Sequence, residues 1–290
     1  MRAITASLLA GTAMTVAAPL AAQDTVDDKD ENVIIVTAQK RSQNLQDVPI
    51  AITALGTETL EDLQINELRD IAKFLPSVTV QTGGPGFSQV YFRGVASGEN
   101  ANHSASLPTV GIYLDEMPIT TIQGALDIHA YDLARVEALA GPQGTLYGAS
   151  SMAGTIKMVT NAPDYKDSYG AADFELNSVN RGDFGGIAQA FYNARISDTA
   201  AVRLVAWYRR DGGFIDNIPG SRTYASSGIT QNNAALVEDD YNDVDTYGAR
   251  LALGIELNDS WTLRPTVMGQ VQNADGSFAQ ERSSAVTRSL

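Results

Sequence analysis

From Tyr169 to Val271 the chain repeats one pattern five times, an alternation of apolar and polar side chains with period two. Apolar residues stand at Ala172, Phe174 and Leu176, with Asp173 and Glu175 between them. The next segment alternates Ala188, Ala190, Tyr192, Ala194 and Ile196 with Gln189, Asn193 and Arg195, and Phe191 is its one exception. Val202, Leu204, Ala206 and Tyr208 oppose Arg203, Trp207 and Arg209. Tyr247, Ala249, Leu251, Leu253, Ile255 and Leu257 oppose Arg250 and Glu256. Trp261, Leu263, Val267 and Val271 oppose Thr262, Arg264, Thr266 and Gln270. Successive side chains of a strand point to opposite faces, so each segment predicts a strand with one greasy and one polar side. Segments of about ten residues with this alternation are the signature of a transmembrane β-barrel. A soluble β-sandwich also alternates, but its strands average nearer five or six residues.

The connections agree with the barrel. Ser197–Asp198–Thr199 and Asn258–Asp259–Ser260 are tight turns, whereas residues 210–245 form a long excursion. Short turns at one end and long loops at the other are how outer-membrane barrels are strung. The start of the chain fits export. Arg2 precedes an uncharged run from Ile4 to Val16 and then Pro19–Leu20–Ala21–Ala22, which reads as a secretory signal peptide over residues 1–22. The run is too short to span a bilayer, and no later apolar run approaches the roughly 20 residues a membrane helix needs.

Composition narrows the chemistry. The chain has no Cys, which removes disulfides, thiolate metal sites and Cys nucleophiles. Only His103 and His129 are available as imidazoles, and each reads as an ordinary loop or surface histidine; no metal site or cofactor is expected. A net charge of −14 argues against a nucleic-acid partner. Ser88, Ser150 and Ser151 sit in no nucleophile elbow, so no enzyme is expected. Glu238–Asp239–Asp240, with Asp243 and Asp245, reads as a solvated acidic loop lacking the Gly and final Glu of a calcium loop.

Residues 23–45 predict a flexible acidic leader carrying one β-prone segment, Val33–Ile34–Ile35–Val36–Thr37–Ala38. Such a segment suits strand addition to a partner's sheet, or an edge strand of the next domain. Residues 46–165 read as a small α+β unit. A strand is expected over Val48–Thr53, a helical turn over Glu58–Leu63, and a helix capped by Asn66 with a Leu68, Ile71, Ala72, Leu75 stripe stopped by Pro76. Further strands are expected at Val78–Val80 and Val90–Val95, and a hairpin turning at Asp115–Glu116. Gly141, Gly144 and Gly148 lack the Lys and Ser/Thr of a phosphate loop and read as turn glycines.

The ordered motifs resemble the N-terminal part of a TonB-dependent outer-membrane receptor. Val33–Ala38 resembles the family's TonB box, and Gln43–Asn44–Leu45–Gln46–Asp47–Val48–Pro49 the start of its plug domain. Phe92–Arg93–Gly94–Val95, Val110–Gly111–Ile112–Tyr113–Leu114–Asp115 and Arg135–Val136–Glu137–Ala138–Leu139 fall in the family's order. So does Gly141–Pro142–Gln143–Gly144–Thr145–Leu146–Tyr147–Gly148. Ala140 departs from the Arg that many members carry before Gly–Pro.

The resemblance implies an α+β plug (46–165) followed by the first antiparallel strands (166–290) of an incomplete, roughly 22-stranded outer-membrane β-barrel. It implies TonB-dependent active transport of a scarce nutrient, with iron-siderophore as the family default, across the cell outer membrane. The implied partners are the TonB–ExbB–ExbD energy-coupling complex and outer-membrane lipid. Val33, Ile34, Ile35, Val36, Thr37 and Ala38 would bind TonB. Arg93, Arg135 and Glu137 match plug positions where charges lie against the barrel wall; solvated surface charges are the other reading. The leader is too short for the extra signalling domain of some members. Five strands in lipid would leave two unpaired edges, at several kcal/mol per exposed backbone group. The chain is therefore expected to be a fragment or truncated product that forms no pore alone, with a soluble TonB-binding plug module as the alternative function.

Overall fold

The computed structural model describes residues 34–37, 40–96, 107–122, 124–258 and 260–276. The signal-peptide, His103, Val33 and Ala38 readings lie outside these residues. The first half is a plug-like α+β unit and the second a long antiparallel sheet with one small separate hairpin.

The chain enters through β1 (Ile35–Val36) and β2 (Gln43–Asn44), which pair antiparallel. A one-turn 3-10 helix over Leu45–Asp47 follows. It delays the next strand, β3, to Ile52–Gly56, later than the expected Val48–Thr53. Helix α1 (Thr57–Asp62) and helix α2 (Leu68–Lys73) come next. The α2 stripe is as anticipated, with Leu68, Ile71 and Leu75 buried. Its cap is not: the N-cap residue is Glu67, and Asp70 reaches back to accept from the Asn66 N–H at 3.2 Å. Strands β4 (Val78–Gln81), β5 (Phe87–Phe92), β6 (Val110–Leu114), β7 (Met117–Pro118), β8 (Thr120–Thr121) and β9 (Gly124–Leu126) follow. The β6–β7 hairpin turns at Asp115, whose φ is +53°, and Glu116.

Two longer strands complete the unit, β10 (Leu133–Ala140) and β11 (Gly154–Thr160), joined through the four-residue α3 (Gly144–Tyr147). Gly141 (φ +98°) and Gly148 (φ +74°) flank α3 in backbone conformations that side-chain-bearing residues rarely adopt, which explains the glycines there. The central sheet runs β3-β10-β11-β6-β7, with β11 and β6 parallel, and a second sheet runs β4-β5-β9-β8. One apolar core joins them, built from α2, Val90 and Phe92, Val110, Ile112 and Leu114, Val136, Ile156 and Met158. Gly154 admits Phe92 into it: a Cβ there would lie 2.5 Å from the Phe92 ring and 2.7 Å from the Leu139 carbonyl oxygen.

The second half holds β12 (Tyr169–Ser178), β13 (Phe184–Ser197), β14 (Ala200–Asp211), the small hairpin β15 (Ser221–Thr223) and β16 (Thr230–Asn232), and β17 (Val244–Asn258). β18 (Trp261–Leu263) and β19 (Thr266–Ala274) both pair with β17 and are one strand broken at Arg264–Pro265. Pro has no N–H for the ladder. All five alternating segments are thus consecutive antiparallel strands. The faces separate as the alternation demands. Phe174 is 81% and Leu176 93% exposed on one side, while Trp207 is 6% and Arg203 3% exposed on the side that meets the plug. Phe191, the exception to the alternation, lies on the plug side: Arg203 sits 4.2 Å over its ring and Tyr169 meets it edge-on. Among the described residues no helix is long and apolar enough to cross a membrane.

Candidate functional site: a docked strand and its charged latch

β1 is the middle of the β-prone leader segment, and it is held against the plug rather than extended from it. Its ladder is short. Ile35 faces Asn44 and Val36 faces Gln43, and Leu45 N–H donates to the Ile34 carbonyl at 2.9 Å. Val36 is fully buried and Ile35 is 44% exposed, so one side chain anchors the segment.

The next residue, Thr37, sits in a cluster of five charges. Its N–H donates to Glu137 Oε1 at 2.8 Å. Its hydroxyl accepts from Arg135 (3.0 Å) and Lys157 (3.0 Å) and lies 3.2 Å from Glu137 Oε1. Arg135 Nε bonds the same carboxylate oxygen at 2.7 Å. Glu137 and Lys157 are cross-strand partners on β10 and β11, which places opposite charges side by side on the sheet beneath the docked segment. Lys157 reaches on to Glu116 in the β6–β7 turn at 2.5 Å. Lys40 closes the ring: it bonds Glu116 and lies 4.5 Å above the Tyr147 ring, a cation–π contact. Burial pushes the Glu116 carboxyl up, but hydrogen bonds from Lys157 and Lys40 outweigh it and hold the group below its ordinary value. The arrangement is a latch: a two-residue ladder, one buried valine and a ring of charge-assisted bonds.

The anticipated site residues therefore separate. Ile34, Ile35, Val36 and Thr37 are docked. Arg135 and Glu137 meet each other and Thr37 within the plug. Arg93 lies exposed in the turn after β5, with φ +50°. A residue that ties the plug to the long sheet and that sequence reasoning missed is Asp132. Its carboxylate accepts from Arg203 at 2.6 and 2.8 Å and from Arg250 at 2.6 Å, and Asn161 donates to it at 2.9 Å. The only hint in the sequence was two arginines on the polar face of otherwise apolar strands, which must find an anion when buried. His129 is a correction as well. It is buried, not a surface histidine, with its ring stacked on Trp207 at 5.7 Å and Nε2 2.7 Å from Gln189 Oε1. Glu67 joins the same seam through Arg209 at 3.0 Å.

Comparison with known proteins agrees with this geometry. Residues 44–155 match the family model described as TonB-dependent Receptor Plug Domain. The pesticin receptor of Yersinia pestis is 32% identical over 151 residues, covering 50% of this chain and 21% of that receptor. The vitamin B12 transporter BtuB of Vibrio vulnificus is 29% identical over 168 residues, covering 54% of this chain and 25% of that one. The chain thus spans about a quarter or less of the length of these curated relatives. In fold it is similar to the ferric yersiniabactin uptake receptor FyuA of Yersinia pestis, at a TM-score of 0.60 and 22% identity over 77% of this chain and 32% of that one. It is also similar to the pyoverdine outer membrane receptor FpvA of Pseudomonas aeruginosa, at 0.57 and 19% over 84% and 31%. The match lies among receptors and transporters rather than enzymes. Residues 44–155 are therefore a TonB-dependent receptor plug domain, and with the antiparallel strands that follow them they share the fold of solved outer-membrane receptors.

Proposed function

We propose that this chain is the plug-bearing part of a receptor that takes up a ferric siderophore, and that Val33–Ala38 is the strand its energy-coupling partner, TonB with ExbB and ExbD, captures and pulls. The observation that carries this reading is the latch. A segment fixed by two ladder residues, one buried valine and a ring of charges that opens to solvent at Lys40 and Glu116 can be released as a unit. Once free it offers unpaired backbone and no ionisable side chain to a partner's sheet edge, so no charge must be desolvated. The iron-siderophore substrate is carried over from relatives whose names concern iron or siderophores. The division into leader 23–45, plug 46–165 and barrel 166–290 belongs to the same proposal, as does contact between outward-facing residues such as Phe174 and Leu204 and membrane lipid.

The test is uptake of radiolabelled ferric siderophores in an iron-starved strain lacking its own copy of the gene. Complementation should restore uptake. Val36→Asp, which places a charge in the buried position, should abolish it while leaving siderophore binding at the cell surface intact. Absence of both surface binding and uptake in the complemented strain, with the protein found soluble in the periplasm, would favour a plug module that engages TonB without transport.

A further inference from the structure

The seam between plug and barrel strands contains a group that neither the latch nor the Asp132 cluster uses. Below β9, the chain from Asp127 to His129 lies against β14, β17 and β19 around a cavity of about 20 Å³, room for one water molecule. Its lining is almost wholly polar: Asn66, Glu67, Arg209, Thr246, Gln270 and Gln272 with Asp127 and His129. The wall grips this stretch by its backbone. Gln270 accepts from the His129 N–H at 3.0 Å and donates to the Asp127 carbonyl at 2.7 Å.

Two buried atoms on this stretch, Asp127 Oδ1 and His129 Nδ1, have no hydrogen-bond partner among the described residues. Both are acceptors. Gln189 presents a carbonyl oxygen to His129 Nε2, so Nε2 carries the ring hydrogen and Nδ1 is a bare acceptor. An ionised Asp127 is also acceptor-only. Both residues line this one small cavity, and among the described residues no side chain supplies either acceptor with a donor. A water held in the cavity can donate to both acceptors but leaves a buried carboxylate charge near Glu67; a proton on Asp127 removes that charge and supplies a donor, to the water or through it to Nδ1.

We propose that Asp127 and His129 form a proton-binding site at the plug–wall seam, and that proton uptake by Asp127 seats residues 127–131 more firmly against β14 and β19. The surrounding charges fit. From the α2 side Glu67 and Asp70 disfavour a second negative charge, while Arg69 and, from β14, Arg209 only partly offset them. Burial, and then Glu67, push the Asp127 carboxyl up to about 6. Burial holds the His129 imidazole down at about 4, with Arg209 adding to that and the Gln189 bond opposing it, so the ring stays neutral while Asp127 titrates. The sign follows from a pKa raised in the seated state. The contribution is complete below the ordinary carboxylate value and is lost as pH rises through about 6.

The test is hydrogen exchange on the full receptor in detergent micelles, reading residues 127–131 at about pH 5 and pH 7.5 after correction for intrinsic rates. Protection should be about tenfold greater at the lower pH, the ratio that a shift from 3.8 to about 6 gives over that range. Asp127→Asn is uncharged and brings its own donor, so its protection should be high and nearly equal at both values. Equal pH dependence in wild type and D127N, or none in wild type, would overturn the proposal. A carboxyl carbon NMR titration of Asp127 in the unmutated protein tests it independently of any variant. A midpoint near 6 supports the site and one near 4 refutes it.

Discussion

Asp132→Asn isolates what fastens the plug to the wall. Asp132 has φ +57°, and Asn tolerates that conformation, so the substitution keeps shape and backbone while deleting one charge. Two guanidiniums then lose their common anion. Arg203 and Arg250 are 3% and 5% exposed, so water cannot replace it. Arg203 keeps the Tyr169 hydroxyl at 3.1 Å and the Phe191 ring, whereas Arg250 retains the Asp132 carbonyl, also at 3.1 Å, and has an Nε without a partner. Removing one partner of a buried ion pair costs about 3–5 kcal/mol, against about 0–1 for an exposed pair. The loss should sit at the lower end, about 3 kcal/mol, because the Asn oxygen still accepts one bond; that is roughly a hundredfold in the equilibrium between seated and released plug. The assay is urea-induced plug release followed by Trp207 fluorescence, since its indole stacks on His129 at the seam, in a background where every other Trp of the receptor, exposed Trp261 among them, is replaced by Phe. Pairing D132N with Arg250→Met should recover part of the loss, because the stranded cation is then gone. A cost below about 1 kcal/mol for D132N would mean that water reaches the arginines and that the seam is held by something else.

Other outcomes follow from the same structure. Thr37→Val removes the hydroxyl that Arg135 and Lys157 share, and should raise the labelling rate of a cysteine placed at position 36 several-fold; these 290 residues contain no cysteine of their own. Glu116 titrates below its ordinary value, so its share of the latch is present above that value and lost as pH falls through the lowered one. The same labelling should stay slow at about pH 5 and speed up only in stronger acid. Leu204→Arg, on the outward face midway along β14, should destabilise the sheet in lipid by about 2–4 kcal/mol in unfolding titrations. Gly154→Val should prevent the plug from packing, read as lost protease resistance, because its side chain would occupy the space of the Phe92 ring.

Much of this architecture was legible because it is local. Period-two alternation needs only neighbours in sequence, and it located all five barrel strands. The same holds for the α2 stripe and the Asp115–Glu116 turn. The seam and the latch were not legible, because they join distant residues. Asp132 meets Arg203 and Arg250 across 71 and 118 positions, and Thr37 meets Glu137 across 100. No spacing rule predicts such pairs. His129 looked ordinary because nothing in its neighbourhood reveals that β13 and β14 will bring Gln189 and Trp207 around it. The Asn66 cap failed for a smaller reason: Asp70 supplies the side-chain bond from inside the helix, so the chain turns one residue later.

The central claim is that residues 34–37 are a releasable strand for an energy-coupling partner, and it can be tested by disulfide trapping in cells. Val36→Cys in the receptor would be paired with single cysteines along the sheet edge of TonB. The account predicts cross-links at alternate TonB positions, as a strand pairing requires, rising when the siderophore is supplied. Cross-linking that ignores TonB position, or none with siderophore present while a cysteine elsewhere on the plug's leader side traps TonB readily, would contradict it.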